Sequence, residues 1–93
     1  MKTAKFIKDL SGEGWKGTAM LYEVNPPMKD YEGKKHKYVI CSTVDAMFTG
    51  IETLIFPADK EGKLISWSEL DGSERGTISH ERVLQNAGYE LEQ

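Results

Sequence analysis

The residues best suited to bind a charged ligand lie late in the chain, where a glycine-rich loop meets a predicted helix. The free amides and the dipole of a helix N-terminus attract anions, and the planar fork of arginine matches a phosphate or a carboxylate. Trp67, shortly upstream, would stack on a base. The predicted anion or nucleotide site comprises Trp67, Ser73, Arg75, Thr77, Ser79, His80 and Arg82.

The same segment has a simpler, structural interpretation. Arg75 would pair with Glu74 or Asp71 on the surface, where an ion pair contributes little to stability, and the serines would only cap the helix. Glu69 shares this loop with the other carboxylates, but their spacing lacks the alternation of a calcium-binding loop. This indicates a solvated acidic loop, and both interpretations of the segment stay open.

Patterns that would support catalysis or metal binding are weak in this chain. Ser79 and His80 are neighbours at a helix start and point in different directions, so they do not form a nucleophile and base pair. His36, Cys41 and His80 lack the close spacing of a zinc site. The glycines of residues 12–17 have the spacing of a dinucleotide motif but precede a predicted strand. We therefore expect a protein that is not an enzyme and has no cofactor.

Two apolar positions are candidates for contact with another protein. Met47 and Phe48 lie at the predicted tip of a hairpin, where large apolar groups are typical of an interface, although they could also fold under the sheet. Trp15 lies in a glycine-rich loop, where it would either stack on a ligand ring or cap a small core. The second interpretation is favoured for Trp15, and the predicted protein interface is Met47 and Phe48.

A central hairpin is expected to position these residues. Its strands, residues 38–45 and 51–56, place alternate side chains on opposite faces. In the first of them, Val39 and Cys41 lie on one face, whereas Ile40 lies on the other. This alternation explains nearly all of the hairpin as scaffold.

Further strands are predicted on either side of the hairpin. A strand over residues 18–24 would end at the prolines of residues 25–27, since proline has no amide to donate. Another, over residues 63–67, would return antiparallel after a turn in which Gly62 adopts a positive φ. Together with the hairpin they form a meander.

The ends of the chain complete the predicted fold. Residues 3–10 match both a short amphipathic helix and a short edge strand. Ser79 is a good N-cap for a C-terminal helix, and Gly88 is expected just past its end. We predict for residues 1–93 a single α+β domain: an antiparallel sheet of about four strands, a C-terminal helix packed on one face, and the short N-terminal helix or edge strand.

The composition limits the class of partner. A chain of 93 residues forms a thin core, which partner binding or self-association into a homo-oligomer would support. A net charge of −3 is too weak for nonspecific binding of nucleic acid. The lysine-rich run of residues 34–37 beside Tyr31 and Tyr38 resembles a nucleic-acid patch, but it is also typical of solvated lysines that flank a strand.

The sequence also bears on location. No apolar run approaches the roughly 20 residues that cross a bilayer, and residues 1–10 lack the apolar core of an export signal. We therefore expect a cytoplasmic protein without a membrane partner. Cys41, mid-strand among apolar residues, is expected to be buried and inert.

Motifs spread over residues 20–89 carry a resemblance. They are Tyr22 with Asn25-Pro26-Pro27, Tyr38-Val39, Glu52-Thr53, Phe56-Pro57-Ala58, the run from Trp67 to Ser73, Gly76, His80 and Gly88-Tyr89. This pattern is similar to small uncharacterised proteins encoded by bacteriophages. The resemblance implies an accessory phage product, a class that commonly binds and blocks a host factor or a defence component.

Three functions remain open from the sequence. The first is a non-catalytic inhibitor that binds a host or defence-system protein through Met47, Phe48 and an exposed sheet face or edge. The second is sequestration of a phosphorylated nucleotide at the loop before the C-terminal helix. The third, a small enzyme, has no supporting feature, and the sequence favours the first.

Overall fold

Alternation of apolar and polar side chains builds most of this chain into one β-sheet. The computed structural model describes residues 2–12, 14–15, 17–46, 50–67, 69–70, 72–76 and 79–92. The elements are β1 (Thr3–Asp9), β2 (Thr18–Lys29), β3 (Lys35–Ala46), β4 (Gly50–Ala58), β5 (Glu74–Arg75), α1 (His80–Asn86) and β6 (Glu90–Glu92). The strands follow the order β5-β4-β3-β2-β1-β6. The α+β class is as predicted.

The sheet is mixed, whereas an antiparallel one was predicted. Strands β1 to β4 form an antiparallel meander. Three of them, β2, β3 and β4, lie where the sequence predicted strands. The N-terminal residues form a strand and not a helix, and β6 pairs with it in parallel, from Thr3 opposite Glu90 to Lys5 opposite Glu92. Because of this pairing, β1 is not an edge strand over those residues.

The prolines of residues 25–27 do not end β2, contrary to the prediction. The strand continues to Lys29, and its register with β3 is interrupted between Glu23 and Met28. Pairing then resumes, and Lys29 lies opposite Lys35. Because the prolines lie in the interrupted stretch, their missing amides remove no bond of the β2–β3 ladder.

Residues 63–67 do not form the predicted strand. Among the described residues, this segment makes a single β-bridge, between Leu64 and Ala58. The bridge consists of two bonds, from the amide of Ile65 to the carbonyl of Pro57 and from the amide of Asp59 to the carbonyl of Lys63, each at 3.0 Å. The segment is therefore attached to the end of β4 by this one bridge without extending the sheet.

The turn before this segment explains its course. Gly62 has a φ of +90° as predicted, and Asp59 Oδ1 accepts bonds from the amides of Glu61 and Lys63, each at 2.9 Å. A Cβ on Gly62 would lie 3.0 Å from the Leu10 side chain. The turn thus folds over one face of the sheet and directs the following residues across that face.

The two faces of the sheet are covered differently. One, which we call the helix face, carries α1 and the main core of Ala4, Tyr22, Val24, Met28, Val39, Cys41, Ile55, Leu70, Val83, Leu84 and Tyr89. The other, the open face, carries a smaller cluster of Leu10, Ala19, Leu21, Ile40 and Ala58. The predicted alternation along β3 is confirmed, since Val39 and Cys41 belong to the first cluster and Ile40 to the second.

The helix begins and ends at its predicted signals. Ser79 is the N-cap, and its side chain accepts a bond from the amide of Arg82 at 3.1 Å. Gly88 follows the C-cap Ala87 with a φ of +92°, a conformation that favours glycine. At seven residues, α1 is too short to be stable alone, so it depends on its contacts with the sheet.

Candidate functional site

Arg82, a member of the predicted anion site, is already paired with a carboxylate of the protein. It donates from Nε to Glu74 Oε2 at 2.6 Å and from Nη2 to Glu74 Oε1 at 3.1 Å. The side-chain amide of Asn86 also donates to Glu74 Oε2, at 3.5 Å. The bonds from Arg82 lower the pKa of Glu74 and raise the pKa of Arg82. A ligand anion would therefore have to displace Glu74.

The serines of the predicted site support the fold. Ser73 Oγ donates to the carbonyl of Leu70 at 2.9 Å and accepts from the amide of Ile55 at 2.9 Å. These bonds hold the loop after residue 70 against β4. Ser79 caps α1 as the simpler interpretation predicted, whereas Ser73 has a structural role other than capping, since it ties its loop to β4.

His80 is buried at the start of α1, against β3. Its Nε2 lies 2.9 Å from Thr43 Oγ1, which lies 2.8 Å from Thr53 Oγ1. Burial lowers the pKa of His80, and the charge of Asp9 opposes this shift, so the neutral ring is favoured. Nδ1 is buried without a hydrogen-bond partner among the described residues. The ring is thus enclosed and does not face a ligand at the surface.

Trp67 and His80, two of the predicted ligand residues, lie on opposite faces of the sheet. Its ring centroid is 5.4 Å from that of Phe56 and 5.6 Å from that of Trp15, and Trp15 packs on the open face. His80 belongs to α1 on the helix face. The structure therefore does not bring Trp67 together with the start of α1. Outside the described residues lie Met47, Phe48, Thr77 and the side chain of Arg75.

The open face carries a groove that the sequence indicated only in part. It has a volume of about 490 Å³, and its lining includes Trp15, Ser42, Val44, Leu54, Phe56 and Trp67. We call it the aromatic groove. The Trp15 and Phe56 centroids are 6.2 Å apart, so these rings and that of Trp67 form a continuous wall. Trp67 is 70% exposed, so most of its apolar surface is free to contact a partner.

A close approach of the backbone brings Trp15 to this groove. A Cβ on Gly17 would collide with the backbone carbonyl of Thr43, so glycine is required where the loop passes β3. At the base of the loop, the amide of Ala19 donates to Ser11 Oγ at 3.0 Å. Trp15 is half-buried and packs against the open-face cluster, which confirms the interpretation that it caps a small core.

Alternation along β3 and β4 could predict which of their residues line the groove. Val44 and Leu54 follow that pattern, as does Phe56. The position of Trp67 could not be predicted in this way, because it depends on the turn at Gly62 folding over the sheet.

Comparisons with known proteins found no match for this chain, so the candidate site is argued from its geometry. No family model matches the chain, and neither the curated proteins nor the solved structures gave a significant match. The resemblance to phage proteins therefore stays a prediction. Within the described ranges, no group of three or more His, Cys, Asp or Glu residues could hold a metal ion. No helix in the described part of the chain is long and apolar enough to cross a membrane.

Proposed function

We propose that this chain is a non-catalytic binding domain that engages and inhibits a host or defence-system protein through the aromatic groove. The observation that carries the proposal is the wall formed by Trp15, Phe56 and Trp67, with Trp67 70% exposed. Aromatic residues are enriched in protein interfaces, and tryptophan is prominent among the residues that dominate binding energy. Covering the Trp67 ring would remove a large apolar surface from water.

The groove fits an apolar side chain of the partner. Its volume of about 490 Å³ lies within the range of ordinary ligand pockets, about 300–1,000 Å³. Phe56 is buried in the sheet, at 5% exposure, and Trp15 rests on the open-face cluster. These two walls are ordered before binding, so little conformational freedom is lost when an apolar group enters.

The class of partner comes from the resemblance to phage accessory proteins, which implies a host factor or a defence component. Inhibition then requires only that the bound domain covers a working surface of that partner. No chemical step is needed. This is consistent with the structural roles of Ser73, Ser79 and His80.

The proposal is tested with a matched pair of variants, Trp67→Ala and Tyr31→Ala. Both remove a large exposed ring, since Trp67 is 70% and Tyr31 81% exposed, but only Trp67 lines the aromatic groove. A host protein captured by the tagged wild-type chain would be purified and its affinity measured by calorimetry. We expect Trp67→Ala to weaken binding by about tenfold or more and Tyr31→Ala to leave it unchanged.

Equal affinity of the wild type and Trp67→Ala for that partner would overturn the assignment of the groove. Equal loss in the Tyr31→Ala variant would also overturn it, because the effect would then not depend on the open face.

A further inference from the structure

A second cleft lies at the other end of the sheet and is rich in lysine. It has a volume of about 380 Å³ and is lined in part by Lys2, Lys29 and Lys35, with Pro26, Met28 and Tyr89. We call it the lysine cleft. Among the described residues, no carboxylate lines this cleft, although the chain as a whole has a net charge of −3. The cleft is thus a local concentration of positive charge on an acidic protein.

Two of its lysines face each other directly. Lys29 on β2 lies opposite Lys35 on β3 in the antiparallel register, where side chains are in contact range and like charges destabilise the pair. Two neighbouring lysines do have carboxylate partners. Lys34 Nζ lies 3.8 Å from Glu32 Oε2, and Lys37 Nζ lies 3.2 Å from Glu23 Oε2. In the part of the chain that the structure describes, neither Lys29 nor Lys35 has such an ion pair. An anion between them would relieve this repulsion.

The third lysine, Lys2, lies over the Tyr89 ring, which also lines the cleft. Lys2 Nζ lies 5.5 Å from the centroid of the Tyr89 ring, and the Lys2 carbonyl accepts a bond from the amide of Glu90 at 2.9 Å. The Tyr89 hydroxyl in turn donates to the carbonyl of Pro26. The first bond joins β6 to the residue before β1, and the second joins Tyr89 to the irregular part of β2 and holds its ring in the wall of the cleft.

We propose that the lysine cleft binds a small organic phosphate. Lysine ammonium groups are common phosphate ligands, and three lysines are among the residues that line a space of ordinary ligand size. Pro26, Met28 and the Tyr89 ring offer apolar surface for the organic part of the ligand. This site is separate from the aromatic groove and does not depend on the function proposed for it. It places phosphate chemistry at residues other than those that the sequence indicated.

Calorimetric titration with ADP, pyrophosphate and adenosine tests the proposal. ADP carries both phosphate groups and an aromatic ring, pyrophosphate carries only the phosphate groups, and adenosine carries only the ring and its sugar. We expect ADP to bind more tightly than pyrophosphate and adenosine not to bind, and we expect the affinity for ADP to fall with salt. NMR signals of the Met28 methyl and the Tyr89 ring should shift on addition of ADP.

Matched double variants locate the binding. Lys29→Gln with Lys35→Gln should weaken ADP binding at least tenfold, and Lys2→Gln should weaken it as well. Lys34→Gln with Lys60→Gln removes the same charge from exposed positions outside the cleft and should leave the affinity unchanged.

Several results would overturn the proposal. They are the absence of ADP binding at millimolar concentration, equal binding of adenosine, and equal loss of affinity in the control double variant. Pyrophosphate binding as tight as that of ADP would assign the cleft to inorganic phosphate and overturn the role of the apolar wall.

Discussion

At the scale of single residues, His80 links the stability of the fold to pH. Its ring lies against Thr43 of β3 and Tyr22 of β2. The charge of Asp9 acts on His80, and the charge of Glu81 acts on the neighbouring Tyr22. Burial is the larger effect on His80 and lowers its pKa, so protonation of this ring is less favourable in the folded chain than in the unfolded chain.

We expect the free energy of unfolding to decrease as the pH falls below about 6.5, the ordinary pKa of histidine. The folded pKa of His80 is lowered, so the unfolded chain takes up the proton first and gains stability relative to the folded chain. The stability present above the unfolded pKa is therefore lost as the pH falls through the folded pKa. Urea unfolding curves recorded between about pH 5 and 8 would measure this slope.

The control for this prediction is His80→Gln, which retains a polar group near Thr43 but does not titrate. Its unfolding free energy should depend less on pH over the same window. The pKa values of Asp30, Asp59 and Glu74 are also lowered, but carboxylates titrate near pH 4 and below, outside that window. A slope in the variant equal to that of the wild type would contradict the prediction.

At the scale of elements, local signals predicted the structure wherever neighbouring residues decide it. The alternation of β3, the cap at Ser79 and the glycine at position 88 each depend on a few adjacent residues, and each was predictable. The end of β2 and the course of residues 63–67 depend on distant partners. Proline is tolerated in β2 because the ladder is interrupted there, and residues 3–9 form a strand because β2 and β6 pair with them.

The candidate sites also differ in whether neighbouring or distant residues decide them. The sequence indicated anion chemistry at the loop before α1, but Arg82 is held there by Glu74. The lysine cleft was not predictable, because Lys2, Lys29 and Lys35 lie far apart in the chain. They converge only through the extension of β2 beyond its prolines and the contact of β6 with β1. Facing lysines on two strands are visible only once the register is known.

The register of β2 and β3 predicts the effect of a charge reversal. In Lys35→Glu, the new carboxylate would lie opposite Lys29, so repulsion would be replaced by attraction. We expect the free energy of unfolding to increase by about 0.2–1 kcal/mol, as for other cross-strand pairs of opposite charge. Urea unfolding at low ionic strength would measure the gain.

Lys34→Glu is the control for this variant, since it makes the same charge change at the adjacent turn position, beside Glu32. It should not increase stability. A gain in both variants would show that loss of positive charge from the lysine-rich run of residues 34–37, and not the facing pair, is responsible. The same Lys35→Glu variant should also lose any affinity of the lysine cleft for phosphate.

At the scale of the whole molecule, the two faces of the sheet differ in how they are covered and in their roles. The helix face encloses the main core under α1, and Leu84 of the helix is fully buried. The open face is covered in part by Trp15, Trp67 and the turn at Gly62, and it leaves the aromatic groove between them. Stability therefore depends mainly on the helix face, whereas the open face is available for binding.

This division predicts opposite outcomes for two large-to-small substitutions. Leu84→Ala leaves a cavity in the main core and should lower the free energy of unfolding by about 2–5 kcal/mol, a large share of the roughly 5–15 kcal/mol typical of a domain. Trp67→Ala removes a side chain that is 70% exposed and should cost less than about 1 kcal/mol. Urea unfolding near neutral pH would measure both. If Trp67→Ala destabilised the chain as much as Leu84→Ala, the tryptophan would be part of the core, and the aromatic groove would not be a binding surface.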